Sequence, residues 1–186
     1  MEILAEVSAR HIHLTEEDFK TLFGSGATLT SIKKLSQDDD FAAEEQVKFV
    51  GPKGTFEGVR IVGPYREYSQ VEVSYSEART LGIEPPLKVS GQQPGTTIKV
   101  MGPAGELEKD IAIIAKRHLH LSPEAAEALK LNADDIVSVK CNGEREITFD
   151  QIVVRVKPKY TVAVHFDTDE GNAAGVKNED KVELII

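Results

Sequence analysis

The sequence has few of the features that mark secreted, disulfide-stabilised or membrane-spanning proteins. It contains one cysteine, Cys141, and no tryptophan, and aromatic residues make up 6% of the chain. A single cysteine excludes an intramolecular disulfide and is compatible with a reducing compartment. No run of about 18 apolar residues is present, and the first residues lack the basic segment and apolar core of a signal peptide. We therefore expect a cytoplasmic protein without a transmembrane helix.

The chain also lacks an excess of positive charge and the glycine-rich motifs of nucleotide-binding folds. Its formal net charge is -9, which argues against nucleic acid or an anionic membrane as the main partner. A local pocket can still bind an anionic small molecule. Neither a dinucleotide fingerprint nor a P-loop is present. With 186 residues, of which 40% are hydrophobic, the chain suits one large or two small globular domains.

What is present is a series of short, alternating segments rich in β-branched residues. They predict strands over 47–50, 58–62, 70–73, 97–100, 136–139, 152–156, 161–164 and 181–184. Gly-Pro pairs and an Asn-Gly pair separate several of these segments, as turns do. Many short strands with few helices favour closed or sandwiched β structure over a doubly wound sheet.

Four helices are expected. One follows Thr15, a suitable N-cap, and another covers Ser122–Leu129 with Ser122 as its N-cap. A short helical turn is predicted over Ser74–Leu81, where Gly82 ends it, and a fourth helix over Thr168–Ala174. The last prediction is the weakest, because Gly171 interrupts the segment.

The chain repeats one short motif. Arg10-His11-Ile12-His13-Leu14-Thr15 is echoed by Arg117-His118-Leu119-His120-Leu121-Ser122, and each copy lies between a strand and a helix N-cap. A second echo relates a Gly-Pro-x-Gly segment at 51–54 to another at 102–105. We interpret these echoes as two related β units, each capped by short helices.

Each His-x-His pair is suited to binding a metal ion. Residues i and i+2 of a strand point to the same face, so each pair presents two imidazoles side by side. Five histidines in 186 residues predict only about 0.1 such triplets by chance. Two chance pairs of surface or core histidines remain the alternative, but two occurrences in matching context favour metal binding.

A catalytic zinc site needs a third protein ligand and an open position. His165, at the end of a predicted strand, could complete a set with His118 and His120, although a lone histidine there is more often structural. For His11 and His13, many carboxylates are possible. Glu72 stands inside an apolar strand, where it could be a ligand or an outward-facing residue.

The nature of the donors narrows the choice of metal. Imidazole and carboxylate ligands without thiolates suit zinc, with cobalt, nickel or iron as alternatives. We expect Cys141 to be neither nucleophile nor ligand. Asp167 and Asp169 could orient ligating imidazoles, but acids at a helix start are the preferred interpretation.

With these residues identified, the chain resembles the PduL-type phosphotransacylases, or phosphate propanoyltransferases. The similarity covers essentially all 186 residues and lies in seven stretches: 7–14, 41–45, 50–54, 63–66, 69–74, 115–121 and 165–174. The resemblance implies two β-barrels with helical caps around a dinuclear zinc site. The units would be 10–116, and 117–186 joined by the N-terminal strand 1–9.

The resemblance also implies roles for single residues. One zinc would take His11, His13 and Glu72, and the other would take His118, His120 and His165. Arg66 would hold phosphate. The substrates would be phosphate and a short-chain acyl-CoA, propanoyl-CoA or acetyl-CoA, with acyl phosphate and CoA as products, and the family is associated with propanediol degradation.

His11 lies too close to Met1 for the amphipathic extension that directs some members to microcompartments, which again favours the cytoplasm. A homodimer is one expected assembly. Two other functions stay open: a dinuclear metal hydrolase acting on a thioester or ester, and a non-catalytic metal- or ligand-binding barrel.

Overall fold

The computed structural model describes residues 1–37 and 39–186, which form short strands and four short helices. The strands are β1 (Glu2–Ser8), β2 (His11–His13), β3 (Ser31–Lys34), β4 (Phe41–Val50), β5 (Thr55–Gly63), β6 (Gln70–Glu72), β7 (Leu87–Lys88), β8 (Thr96–Met101), β9 (Glu106–Ala115), β10 (His118–Leu121), β11 (Ile136–Cys141), β12 (Ile147–Val156), β13 (Ala163–Asp167) and β14 (Lys181–Ile185). The helices are α1 (Glu16–Phe23), α2 (Tyr75–Leu81), α3 (Pro123–Leu129) and α4 (Thr168–Ala174).

Backbone contacts divide the chain into two compact units. The first unit is Arg10–Ala115, and the second combines Met1–Ala9 with Lys116–Ile186. That the two units, with the boundaries 10–116 and 117–186 plus 1–9, behave as separate domains stays a prediction.

The first unit contains a closed barrel of six strands, called the first barrel here. Its strand order is β4-β5-β2-β6-β9, and β8 closes the ring because it pairs with both β4 and β9. β3 and β7 extend the sheet outside the ring. Ile12, Phe49, Ile61 and Val100 are fully buried in its core.

The second unit contains a closed barrel with the order β1-β13-β10-β12-β11-β14, called the second barrel. Its core includes Leu119, Val139, Val154 and Phe166. In both barrels the strand with the histidine pair has one parallel neighbour, β5 or β12, and one antiparallel neighbour, β6 or β13. The predicted fold class, two β-barrels related by an internal repeat and capped by short helices, is confirmed.

The four predicted helices are present, and each begins after a capping residue. The side chains of Thr15, Ser74, Ser122 and Asp167 accept a backbone N–H of the first turn. Gly171 does not interrupt α4. A residue without a side chain is favoured there, because a Cβ atom would lie 2.9 Å from the Val7 side chain. None of the helices in the described chain is long and apolar enough to cross a membrane.

Two strands, β9 and β13, differ notably from the prediction. The long strand β9 was not predicted, because its first half is charged and its second half continuously apolar. His165 was expected at a strand end, whereas β13 runs from Ala163 to Asp167 and places His165 in its middle. The chain from Lys157 to Tyr160 turns instead of extending the strand toward its N-terminal side.

The two Gly-Pro-x-Gly segments do not relate the two units, because both form hairpin turns of the first barrel. The Lys53 N–H donates to the carbonyl of Leu81 at 2.9 Å, at the end of α2. The Ala104 N–H donates to the carbonyl of Leu22, also at 2.9 Å, in the last turn of α1. Each turn thus satisfies a carbonyl that the helix leaves without an internal partner. The repeated Gly-Pro-x-Gly segment therefore caps the C-terminal end of a helix in both places.

Candidate metal centres

Strand β2 presents the first histidine pair on one face. Successive side chains of a strand alternate, so His11 and His13 share a face while Ile12 lies in the barrel core. β6 runs antiparallel beside β2, and Glu72 is directly opposite His11. Side chains of directly opposite residues lie on the same face, so Glu72 joins the two imidazoles.

His11, His13 and Glu72, called the first triad, converge closely enough to share one ion. One possible ligand atom of each lies within 4.8 Å of the others. Nε2 of His11 is 3.7 Å from Oε2 of Glu72, and the two imidazole centroids are 5.0 Å apart. Donors about 2 Å from a shared zinc ion lie within about 4 Å of one another, so small side-chain rotations suffice.

Hydrogen bonds orient two members of the first triad. Nδ1 of His13 is 3.1 Å from the carbonyl oxygen of Val62, which can only accept, so Nδ1 carries the proton and Nε2 the lone pair. The Ser90 hydroxyl donates to Oε1 of Glu72 at 2.5 Å. Such outer partners fix the tautomer of a ligating imidazole and the direction of a ligating carboxylate.

The second triad, His118, His120 and His165, is built in the same way, from a histidine pair on one strand and a residue of the antiparallel neighbour. His118 and His120 share a face of β10, and His165 of β13 lies directly opposite His118. One nitrogen from each ring lies within 4.8 Å of the others. Ring centroids are 4.7 Å apart for His118 and His120, and 4.4 Å apart for His120 and His165. His118 Nδ1 donates to the carbonyl of Lys116 at 2.8 Å.

His120 provides the test of whether this triad suits a metal ion. Its Nδ1 and Nε2 atoms are both buried and have no hydrogen-bond partner among residues 1–37 and 39–186. A buried polar atom without a partner costs about 1–3 kcal/mol. A metal ion bound by one of these nitrogens removes part of that cost. The residues present therefore fit a metal ion, and the Tyr160 ring stacked on His120 at 3.9 Å shields it from water.

The protonation states also favour metal binding. Burial, followed by the neighbouring His11, lowers the pKa of His13 to about 3. Burial, followed by His165 and His118, lowers the pKa of His120 far below its ordinary value. Both rings are neutral at pH 7, and only a neutral imidazole has a lone pair for a metal ion.

Arg66 lies beside the first triad. Its backbone N–H donates to the carbonyl of Leu14, just after β2, and its charge contributes to the lowered pKa of His13. Its guanidinium Nη2 donates to Oδ1 of Asp40 at 2.5 Å. Its Nε is buried and without a hydrogen-bond partner among the described residues. The side chain thus binds an oxyanion, here a carboxylate, close to the first triad.

The remaining sequence candidates lie elsewhere. Asp167 is the N-cap of α4 and Asp169 lies in its first turn, as helix-start acids do. Cys141 is buried in β11, where burial raises the pKa of its thiol, which is unsuitable for a nucleophile. The sequence reasoning missed Ser90 and Tyr160, since neither lies in a motif and both reach the triads through tertiary structure.

Comparisons with known proteins show the family of this chain. The family model described as phosphate propanoyltransferase matches residues 4–177. Proteins named phosphate propanoyltransferase are similar to this chain: one from Thermotoga maritima is 45% identical and one from Limosilactobacillus reuteri 47% identical. The matches cover 98% and 91% of this chain, and 89% and 80% of those proteins. The chain belongs to the phosphate propanoyltransferase family, so the predicted family and the predicted acyltransferase class are confirmed.

Proposed function

We propose that this chain converts a short-chain acyl-CoA and phosphate reversibly into acyl phosphate and CoA with the help of two zinc ions. Its family supports phosphotransacylase activity, and the names of its relatives favour a propanoyl group, with acetyl as the second proposed substrate. The observation that carries the proposal is the presence of two separate three-ligand clusters in one chain.

The first triad would hold one zinc through two imidazoles and a carboxylate, and the second would hold another through three imidazoles. Three protein ligands leave a coordination position for substrate, as in catalytic rather than structural zinc sites. Bound zinc supplies a Lewis acid that stabilises a thiolate leaving group and polarises a thioester carbonyl. That the two ions form one dinuclear centre stays a prediction.

Arg66 is proposed to hold phosphate. Its present partner is the Asp40 carboxylate, so phosphate binds by exchanging one oxyanion for another. A phosphate oxygen then attacks the thioester carbonyl carbon, the C–S bond breaks, and CoA leaves as a thiolate. The guanidinium offsets the repulsion between phosphate and the negative charge that develops on the carbonyl oxygen.

Phosphate dependence separates this proposal from a metal hydrolase. Release of CoA from propanoyl-CoA should require phosphate and should yield one acyl phosphate per CoA, trapped as a hydroxamate. CoA release that continues without phosphate and gives a free carboxylic acid would support hydrolysis instead. A cytoplasmic location, a homodimer and a role in propanediol degradation stay predictions.

A further inference from the structure

An arginine immediately precedes each histidine pair, and in both units it is tied to a glutamate. Nη1 of Arg10 donates to Oε1 of Glu77 at 3.0 Å. Nε of Arg117 donates to Oε1 of Glu170 at 2.7 Å. Both carboxylate side chains are largely buried, which strengthens the two ion pairs relative to pairs in open solvent.

Each guanidinium also lies over an aromatic ring of the neighbouring parallel strand. The central carbon of Arg10 is 4.3 Å from the centroid of Phe56 in β5, and that of Arg117 is 5.0 Å from the centroid of Phe149 in β12. An arginine over a ring at this distance gains a cation–π interaction. The arginines are thus held from two sides in the same way.

In the first unit, the glutamate lies just beyond the third ligand. Two residues after Glu72 comes Ser74, the N-cap of α2, and Glu77 is the third residue of that helix. Oε2 of Glu77 accepts the backbone N–H of Ser74 at 2.9 Å. Glu77 therefore connects Arg10 to the segment that begins at the third ligand.

The second unit repeats this arrangement with different residues. Two residues after His165 comes Asp167, the N-cap of α4, and Glu170 accepts its backbone N–H at 3.1 Å. The third ligand and the N-cap residue are of different types in the two units. The ion pair between an arginine and a glutamate occurs in both. In both units, an ion pair thus connects the residue before the histidine pair to the helix that follows the third ligand.

This ion pair lies where the pairing between the two ligand strands ends. β2 and β6 pair over three residues only, and His11 opposite Glu72 is the last pair. His118 opposite His165 is likewise the last pair between β10 and β13. The last pair between two strands opens more readily than the pairs at the centre. An arginine one residue beyond each pair, bound to the helix after the third ligand, opposes that opening.

We propose that Arg10 and Arg117 are positioning residues, each of which holds the third ligand of its own metal site beside the histidine pair. The inference rests on the metal sites of the proposed function. Stabilisation of the fold alone does not explain the arrangement well, because partly buried ion pairs contribute little net stability. Each arginine instead fixes the distance between the histidine pair and the third ligand, and it does so only in its own metal site.

Zinc affinity in single-site proteins tests this assignment. His118→Ala/His120→Ala leaves the first site, and His11→Ala/His13→Ala leaves the second. Arg10→Met and Arg117→Met, which keep an apolar side chain over the phenylalanine, are introduced into both backgrounds. Zinc binding is measured by competition with a chromogenic chelator, and the thermal midpoint of each metal-free protein reports on folding.

Arg10→Met should weaken zinc binding about tenfold in the first-site background and leave the second site unchanged, with the reverse for Arg117→Met. Glu77→Gln and Glu170→Gln should act in the same direction, because glutamine keeps the helix cap while removing the charge. If an arginine variant does not fold, the corresponding glutamine variant tests the positioning role in its place. Unchanged affinity at the variant's own site, or equal loss at both, would overturn the positioning role alone. Parent backgrounds that bind no zinc would overturn the metal sites and the positioning role with them.

Discussion

One imidazole in each candidate site, that of His13 and that of His120, is kept neutral by its environment. Burial is the largest cause of the lowered pKa of both His13 and His120. An imidazole that titrates far below its ordinary pKa of about 6.5 must lose its proton when the chain folds at acidic pH. These two histidines therefore link the stability of the metal-free protein to pH.

The metal-free protein should lose stability as pH falls. A lowered folded-state pKa means that the unfolded chain binds more protons below about pH 6.5. The free energy of unfolding is therefore unaffected by these groups above about pH 6.5 and decreases as the pH falls from there toward the folded-state pKa. With a pKa of about 3, His13 should cost about 2 kcal/mol at pH 5. Urea unfolding between pH 7 and 5 measures this loss.

His13→Gln/His120→Gln removes both groups and serves as the comparison. Its unfolding free energy should depend less on pH than that of the parent. Parallel pH curves for the two proteins would show that other groups cause the acid sensitivity.

Arg66→Ala should raise the KM for phosphate by about tenfold or more, because one charge-assisted hydrogen bond is worth about 1.5–3 kcal/mol. Its thermal midpoint should stay near that of the parent. Arg79→Ala, which removes an exposed arginine of α2, should leave the KM unchanged. A phosphate dependence of Arg66→Ala equal to that of the parent would contradict the assignment of Arg66. Steady-state rates across phosphate concentrations provide the measurement.

At the scale of elements, local signals were sufficient for most strands and all four helices. Alternation and caps act over a few residues, so they are visible in the sequence. β9 combines a charged half with a buried apolar half and therefore has no single period. The opposition of Glu72 to His11 depends on pairing between strands far apart in the chain, which no local pattern fixes. Family resemblance, rather than periodicity, was the signal for Glu72.

The Gly-Pro-x-Gly turns give a test at the same scale. A Cβ atom at Gly51 would lie 2.2 Å from the carbonyl oxygen of Leu81, too close to be accommodated without moving backbone. Gly51→Ala should therefore lower the free energy of unfolding by about 1–3 kcal/mol. Chemical denaturation measures the change. Gly26→Ala is the matched control, because Gly26 is exposed and has no atom within 4 Å of an added Cβ. Equal stability of both variants would contradict the close approach of turn and helix.

At the scale of the whole molecule, one barrel design occurs twice and each copy holds one triad. The strand before each histidine pair belongs to the other unit: β1 precedes His11 but lies in the second barrel, and β9 precedes His118 but lies in the first. Neither triad contains a ligand from the other unit. Two bound metal ions per chain, one at each triad, are therefore the central expectation.

Titration of the metal-free protein with zinc, followed by the rate of acyl phosphate formation from propanoyl-CoA and phosphate, tests that expectation most directly. The rate should rise until about two equivalents of zinc per chain are bound, and both His11→Ala and His118→Ala should lower the final rate by at least about a hundredfold, as expected when Lewis-acid catalysis is lost. Full activity at one equivalent, or activity that does not depend on zinc, would contradict the account.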